Sequence, residues 1–170
     1  MHEEVVSDID LPRHDSADTD GYAVSSADLG RPTTSDPVEL PVVGEIIAGS
    51  GKPFAISSGT CVSIRIGAPL THGADAVVPM TEVEGDHARV IFRRPVSPGQ
   101  RVRRQGEDVR AGSVVLPEGA VLGPREIGLL AAVGRARVKA RPRPRVVILS
   151  TGRELREPGE HLGHDSVYDG

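Results

Sequence analysis

A chain of 170 residues can hold one large domain or two small ones, and with 38% hydrophobic and 2% aromatic residues its core must be built from Val, Ile, Leu and Ala. A net charge of −4 argues against a nucleic-acid partner, and the single Cys61 excludes a disulfide framework and a thiolate zinc site. No apolar run approaches the ~20 residues of a membrane span and no signal peptide is visible, so a soluble cytoplasmic protein is expected.

With 20 Gly and 14 Pro, the recurrent apolar runs read as many short strands joined by tight turns. Acidic residues crowd the start of the chain, whereas Arg93, Arg94, Arg101, Arg103, Arg104 and Arg110 mark the middle. The dominance of Arg over Lys fits bidentate contacts to phosphate or carboxylate, and equally the codon bias of a GC-rich genome.

Residues 1–12 offer only Val5, Val6 and Ile9 as apolar anchors before Leu11-Pro12, so they must pair with something later in the chain. Asp15, Asp18 and Asp20, followed by Gly21, predict a tight acidic turn. It is either a solvated turn or a cation or acid/base site. The intervals are wrong for an EF-hand loop, and the closing Glu is missing. Strands are predicted from Tyr22, over Val38–Ala48, over Cys61–Ile66 with one face buried, over Ala76–Met80 and over Ala88–Phe92. Cys61 itself reads as a small core residue. The break at Gly49-Ser50-Gly51 is not a phosphate-binding loop, because Lys52 precedes Pro53. Spacing of roughly ten residues suggests a compact β barrel or sandwich.

The stretch 97–112 is the most charged, and its Gly106-Glu107-Asp108 turn sets two carboxylates beside Arg101, Arg103 and Arg104. Charge alone favours a surface salt-bridge cluster over an anion platform with Asp108 as acid/base or cation ligand. After a strand over Ser113–Leu116, a helix is predicted from Pro124 to a Gly134 cap, burying Ile127, Leu130 and Ala131. A strand over Ala136–Ala140 and a stiff linker, Arg141-Pro142-Arg143-Pro144, follow. Val146–Leu149 then reads as a strand covered on both faces, with Ser150-Thr151-Gly152 leaving its carboxyl end, where open α/β sheets bind ligands. Only 15 residues follow Leu155, too few for a crossover helix and second parallel strand, so this strand is expected to open a domain that the chain does not complete. None of the six histidines makes a metal-binding pair on a helix.

Six motifs carry a resemblance to a known family. They are Asp20-Gly21-Tyr22-Ala23-Val24; Gly67-Ala68-Pro69 with Gly73-Ala74-Asp75-Ala76-Val77-Val78; Gly99-Gln100 with Arg103-Arg104-x-Gly106-Glu107-Asp108; Gly112 with Val114-Val115; Ser150-Thr151-Gly152-x-Glu154-Leu155; and Pro158-Gly159 with Tyr168-Asp169. In this order and spacing they resemble molybdopterin molybdenumtransferase, the MoeA-type family that includes the gephyrin E domain. The resemblance covers essentially the whole chain.

The resemblance implies a mixed, mainly β fold: a β-rich barrel- or sandwich-like domain (13–108) inserted in a small α/β domain (1–12 and 109–141), followed by the truncated first strand of a doubly wound α/β, molybdopterin-binding domain (142–170). It implies insertion of molybdate, as substrate, into adenylylated molybdopterin with release of AMP, in a homodimer that uses a divalent cation such as Mg2+. Carried over by position, Asp20, Asp108 and Glu154 match the functional carboxylates, with Asp108 also the candidate metal ligand. Arg103 and Arg104 match basic cleft residues, and Ser150, Thr151 and Gly152 the substrate-binding loop. In that chemistry arginines hold oxyanions, and carboxylates position a cation or move protons.

The sequence also departs from the family pattern. Ser16-Ala17-Asp18-Thr19 stands where Asn-Ser-Ala-Met is usual, Ile66 replaces Thr, and Arg153 replaces Asp. The long N-terminal helix, the later glycine-rich loop and the last domain are missing. The chain is therefore expected to be a partial piece, inactive by itself. The alternative is a non-catalytic dimerisation or interaction module derived from the family, and the blandest reading is a β-rich domain whose charged turns are only surface.

Overall fold

Tyr22-Ala23-Val24 forms the middle of the architecture because small and β-branched residues there can be covered on both sides at once. A computed structural model of the chain describes residues 1–49, 55–86 and 88–170. Most of the Gly49-Ser50-Gly51-Lys52-Pro53 break, and His87, lie outside the described residues. The chain divides into two compact units, Met1–Lys139 and Ala140–Gly170.

In the first unit the strands are β1 (Val5–Val6), β2 (Ser16–Ala17), β3 (Gly21–Val24), β4 (Val38–Ile46), β5 (Cys61–Ile64), β6 (Ala76–Pro79), β7 (Glu84–Gly85), β8 (Arg89–Phe92), β9 (Val102–Arg103) and β10 (Val114–Leu116). The helices are α1 (Ser26–Leu29) and α2 (Pro124–Ala132), with a 3-10 turn over Met80–Glu82. Six strands make a curled sheet in the order β6-β3-β5-β4-β8-β7. Its pairs are antiparallel except β4 with β5, which run parallel through a register shift between Val42 and Glu45. The fold is thus mixed and mainly β, as expected.

The period-2 alternation of the central strands feeds two apolar clusters. Tyr22, Val24, Cys61, Ala76 and Val78 pack with Leu40, Val90 and Phe92 on one side. Ala23, Val62, Ile64 and Val77 pack with Ala17, Ile56 and Ala68 on the other. This corrects the expected one-sided burial of residues 61–66. Cys61 has no solvent exposure, because the curl of the sheet closes β4 and β8 over that face. Ile66, expected inside, lies beyond the end of β5 and is 61% exposed. Gly21 is required where β3 meets β6: a Cβ there would lie 2.1 Å from the carbonyl oxygen of Val78.

The opening segment does pair with later residues. β1 runs antiparallel to β10, and Val5, Leu116 and Leu130 form a separate small cluster. Helix α2 starts at Pro124 and is followed by Gly134 at φ 75°, which satisfies the expected cap. Its buried face differs from the expected one. Leu130 and Val133 are covered, while Ile127 is 58% exposed and Ala131 faces solvent, because β1 and β10 present a narrow apolar surface. Residues 136–140 form no strand. Lys139 accepts from His2 N–H at 2.9 Å but gives its own N–H to the Glu3 side chain at 2.8 Å, so no backbone ladder extends.

The second unit contains β11 (Leu155–Arg156) and β12 (Val167–Tyr168), paired in parallel. The strand expected over Val146–Leu149 does not form. Those side chains are 77–87% exposed, because among the described residues no strand pairs with the run and no apolar surface covers it.

Candidate functional site

The short strand β2 gathers the charged motifs of the first unit. On one side Ser16 and Ala17 pair with Arg103 and Val102 of β9. On the other side Ala17 N–H donates to Ala68 O at 3.0 Å, Gly67 N–H to Ala17 O at 2.9 Å, and Leu70 N–H to Asp15 O at 2.8 Å. The Asp15–Asp20 segment therefore runs between the Gly67-Ala68-Pro69 turn and the Arg101–Asp108 stretch. Three motifs that are far apart in sequence share one edge. This corrects the reading of a free acidic turn: local turn propensity around the Asp residues is overridden by pairing on both flanks.

Each carboxylate on this edge meets a cation. Asp15 accepts from Gln105 N–H at 2.8 Å and from Arg104 Nη1 at 2.5 Å. Asp18 faces Arg101 at 3.7 Å, and its Oδ1 is buried with no hydrogen-bond partner among the described residues. Asp20 accepts from Ile66 N–H at 2.7 Å and from Arg65 Nη1 at 3.4 Å. Arg103 Nη2 meets both oxygens of Asp108 at 2.5 and 2.6 Å. Arg104 N–H donates to Glu107 at 2.9 Å, which closes the turn through Gly106 at φ 70°.

These contacts set the proton affinities. The Ile66 backbone N–H, then the Arg65 guanidinium, hold the Asp20 carboxyl below the usual carboxylate range. The Gln105 backbone N–H and then Arg104 lower Asp15 in the same way. Asp108 raises Arg103, and Glu45 and then Asp20 raise Arg65, so both arginines stay charged at any working pH.

Beside Asp20, a cleft of about 500 Å3 is lined by Tyr22, Val43, Glu45, Ser63, Arg65 and Met80. A second groove of about 560 Å3 reaches from Glu107 and Asp108 along Val114 and Val115 to Leu129. The structure therefore brings Asp20, Arg103, Arg104 and Asp108 to turns organised around one strand. Glu154, Ser150, Thr151 and Gly152 belong to the second unit, where all four are exposed. There the backbone carbonyl of Glu154 accepts from Val167 N–H at 2.9 Å.

The donor set does not fit a resident divalent cation in this chain alone. Both oxygens of Asp108 are occupied by Arg103, and among the described residues no three His, Cys, Asp or Glu side chains gather within ligand range. Arg65, which holds Asp20, and Glu45, which anchors Arg65, were missed from sequence. The available signal was a cation directly before the Gly67 turn, flanked by Ile64 and Ile66. No helix among the described residues is long and apolar enough to cross a membrane.

Comparison with known proteins identifies the family. The chain is 40% identical over 166 residues to molybdopterin molybdenumtransferase 2 of Mycobacterium tuberculosis, covering 98% of this chain and 41% of that protein. It is 38% identical over 168 residues to the molybdopterin molybdenumtransferase of Haemophilus influenzae, covering 98% of this chain and 40% of that one. The crystal structure of the molybdopterin biosynthesis MoeA protein from Pyrococcus horikoshii OT3 superposes with a TM-score of 0.83 at 35% identity, over 93% of this chain and 42% of the other. The chain thus spans about two-fifths of the length of the relatives it matches. Residues 1–134 match the family described as the MoeA N-terminal region, domains I and II, and the chain belongs to that family.

Proposed function

We propose that this chain contributes the N-terminal part of a molybdopterin molybdenumtransferase, which inserts molybdate into adenylylated molybdopterin and releases AMP in molybdenum cofactor biosynthesis. The observation that carries the reading is the edge around β2, where the segment leading to Asp20 pairs with the Gly67-Ala68-Pro69 turn on one side and with the start of the Arg101–Asp108 stretch on the other. In this role Arg103 and Arg104 attract the oxyanions of molybdate or of the adenylyl phosphates. Asp20, held by the Ile66 N–H and Arg65, offers a fixed negative charge that positions a cation or a proton donor at the site. Residues 1–12 and 109–141 act as a small α/β domain carrying 13–108 as an insert. Ser150, Thr151, Gly152 and Glu154 serve the pterin-binding part. The working form is a cytoplasmic homodimer, and any divalent cation is held by groups beyond those gathered in the first unit.

The 170 residues alone give no turnover under this proposal. The test is a chimera in which this chain replaces the matching 166 residues of the Mycobacterium tuberculosis relative, assayed for molybdate-dependent AMP release. Turnover by the chimera and none by the isolated chain is the expected pair of results; an inactive but folded chimera sinks the proposal.

One observation favours a second reading, a non-catalytic dimerisation or interaction module. Arg153 places a cation beside Glu154 in an exposed loop where the family resemblance implies an anion. Ile66 no longer supports that reading, because its contact to Asp20 is made by the backbone N–H, which any residue but proline supplies. An inactive chimera that dimerises and is restored by Arg153→Asp establishes the second reading.

A further inference from the structure

Arg65 belongs to none of the six motifs, yet it is the side chain through which Asp20 is fixed to the sheet. Its backbone N–H donates to Ile46 O at 3.0 Å, which pins it beside the end of β4. The parallel register of Glu45 with Ser63 and Ile46 with Ile64 brings Glu45 to the same place. Arg65 Nε donates to Glu45 Oε1 at 3.0 Å, and Nη1 reaches Asp20 Oδ2 at 3.4 Å. The other Asp20 oxygen takes the Ile66 N–H at 2.7 Å. Adjacent residues therefore supply one donor to each carboxylate oxygen.

The neighbouring cations have other duties: Arg101 faces Asp18, Arg103 holds Asp108 and Arg104 holds Asp15. Among the described residues, Arg65 is the cation paired with Asp20. Its side chain, that of Asp20 and that of Glu45 are each about half exposed, at 46%, 45% and 50%. Exposed pairs of this kind add little to stability. What the arrangement supplies is direction. Asp20 is held by a fork whose far side is clamped, and both clamp residues line the cleft of about 500 Å3.

We propose that Arg65, anchored by Glu45, is a positioning residue that fixes the orientation of the Asp20 carboxylate for the transfer reaction. This rests on the functional reading of Asp20 given above. The anchor is part of the device: without Glu45, the Arg65 side chain has rotamer freedom that a single contact at 3.4 Å does not remove.

The experiment follows the Asp20 carboxyl carbon by NMR through a pH titration of the 170-residue chain. The variants are Arg65→Met, Arg65→Lys and Glu45→Gln. The expected result is a titration midpoint that rises towards the ordinary carboxylate value in Arg65→Met, with Glu45→Gln and Arg65→Lys falling between it and the unmodified chain. An unmoved midpoint in Arg65→Met, with a native amide spectrum, overturns the proposal. Should Arg65→Met fail to fold, Glu45→Gln decides in the same way: a raised midpoint supports the clamp and an unmoved one overturns it. In the active chimera, Arg65→Met lowers kcat with KM little changed, and Arg65→Lys recovers part of the loss. A midpoint that moves in a chain whose chimera never turns over overturns the transferase reading and leaves the clamp standing.

Discussion

Ala76–Pro79 and Val146–Leu149 are both four-residue apolar runs bounded by polar or turn residues, and they end in opposite environments. The first is buried at every position as the strand β6, paired with β3. The second is 77–87% exposed and unpaired among the described residues. By residue type the second run is the better strand former, since it has neither the Ala nor the Pro of the first. The difference lies in what surrounds them. β6 finds a neighbour that is itself held by β5, and Ala17 of β2 with Ile56 and Ala68 packs in one cluster with Val77. An apolar run specifies a capacity for burial, and only a closed set of partners realises it.

The comparison is sharpest in substitutions that remove apolar volume from each unit. The chain has no Trp, so far-UV circular dichroism during urea unfolding is the suitable readout. Phe92→Ala removes the largest fully buried side chain of the first unit, and it should cost about 3–5 kcal/mol. A cost under about 1 kcal/mol would show that the curled sheet does not close over Phe92 as described. Ile64→Val, in the second apolar cluster, should cost about 0.5–1.5 kcal/mol.

A smaller effect separates the units by pH. Backbone and side-chain donors lower Asp10 (Ala111 N–H, then Gln105), Asp15 and Asp20, and Arg93 lowers Glu84; all four groups are in the first unit. Because these carboxyls bind protons less readily folded than unfolded, their stabilisation is complete above an ordinary carboxylate value of about 4 and is lost as pH falls below it. The urea midpoint of the first unit should therefore hold between neutral pH and about 5, then decline towards pH 3. A midpoint that rises on acidification would contradict the assigned contacts. Smallest of all, Val147→Ala should stay within about 0.5 kcal/mol of the unmodified chain, since the side chain it shortens is already 78% exposed. A larger loss would mean that the run is covered in solution.

Cys61 supplies an independent check on the closed face. Burial pushes its thiol up to about 12, so it should resist alkylation at pH 8 in the folded chain and react once urea opens the sheet. Rapid labelling without denaturant would place Cys61 on an open strand, against the core position that the sequence predicts and the structure shows.

Much of the candidate site was legible in residue order. Asp20-Gly21-Tyr22 marked the start of β3, and the close approach of Val78 explains why glycine stands there. The 106–108 turn was expected to set its carboxylates beside Arg101, Arg103 and Arg104, and Asp108 pairs with Arg103. Arg65 as the partner of Asp20, and Glu45 as the anchor of Arg65, were not legible. They lie 45 and 25 positions away along the chain (65 − 20 and 45 − 20), and nothing local distinguishes a strand-end arginine that clamps a carboxylate from one that faces solvent. Glu154 and its loop remain in a separate unit, and their role rests on the motif rather than on geometry.

The sequence by itself determined the local grammar of this protein. Alternating Val, Ile and Leu placed the strands, Gly and Pro placed the turns, Pro124 and Gly134 bounded the helix, and six ordered motifs pointed to the family. These signals act over a few residues, through backbone sterics and side-chain periodicity, and they held wherever a partner was available. The tertiary structure decided which apolar runs are buried, which face of α2 is covered and which donors hold each carboxylate. Those outcomes depend on the closure of the curled sheet, which brings together segments tens of residues apart and overrides local preference wherever a partner is present or lacking.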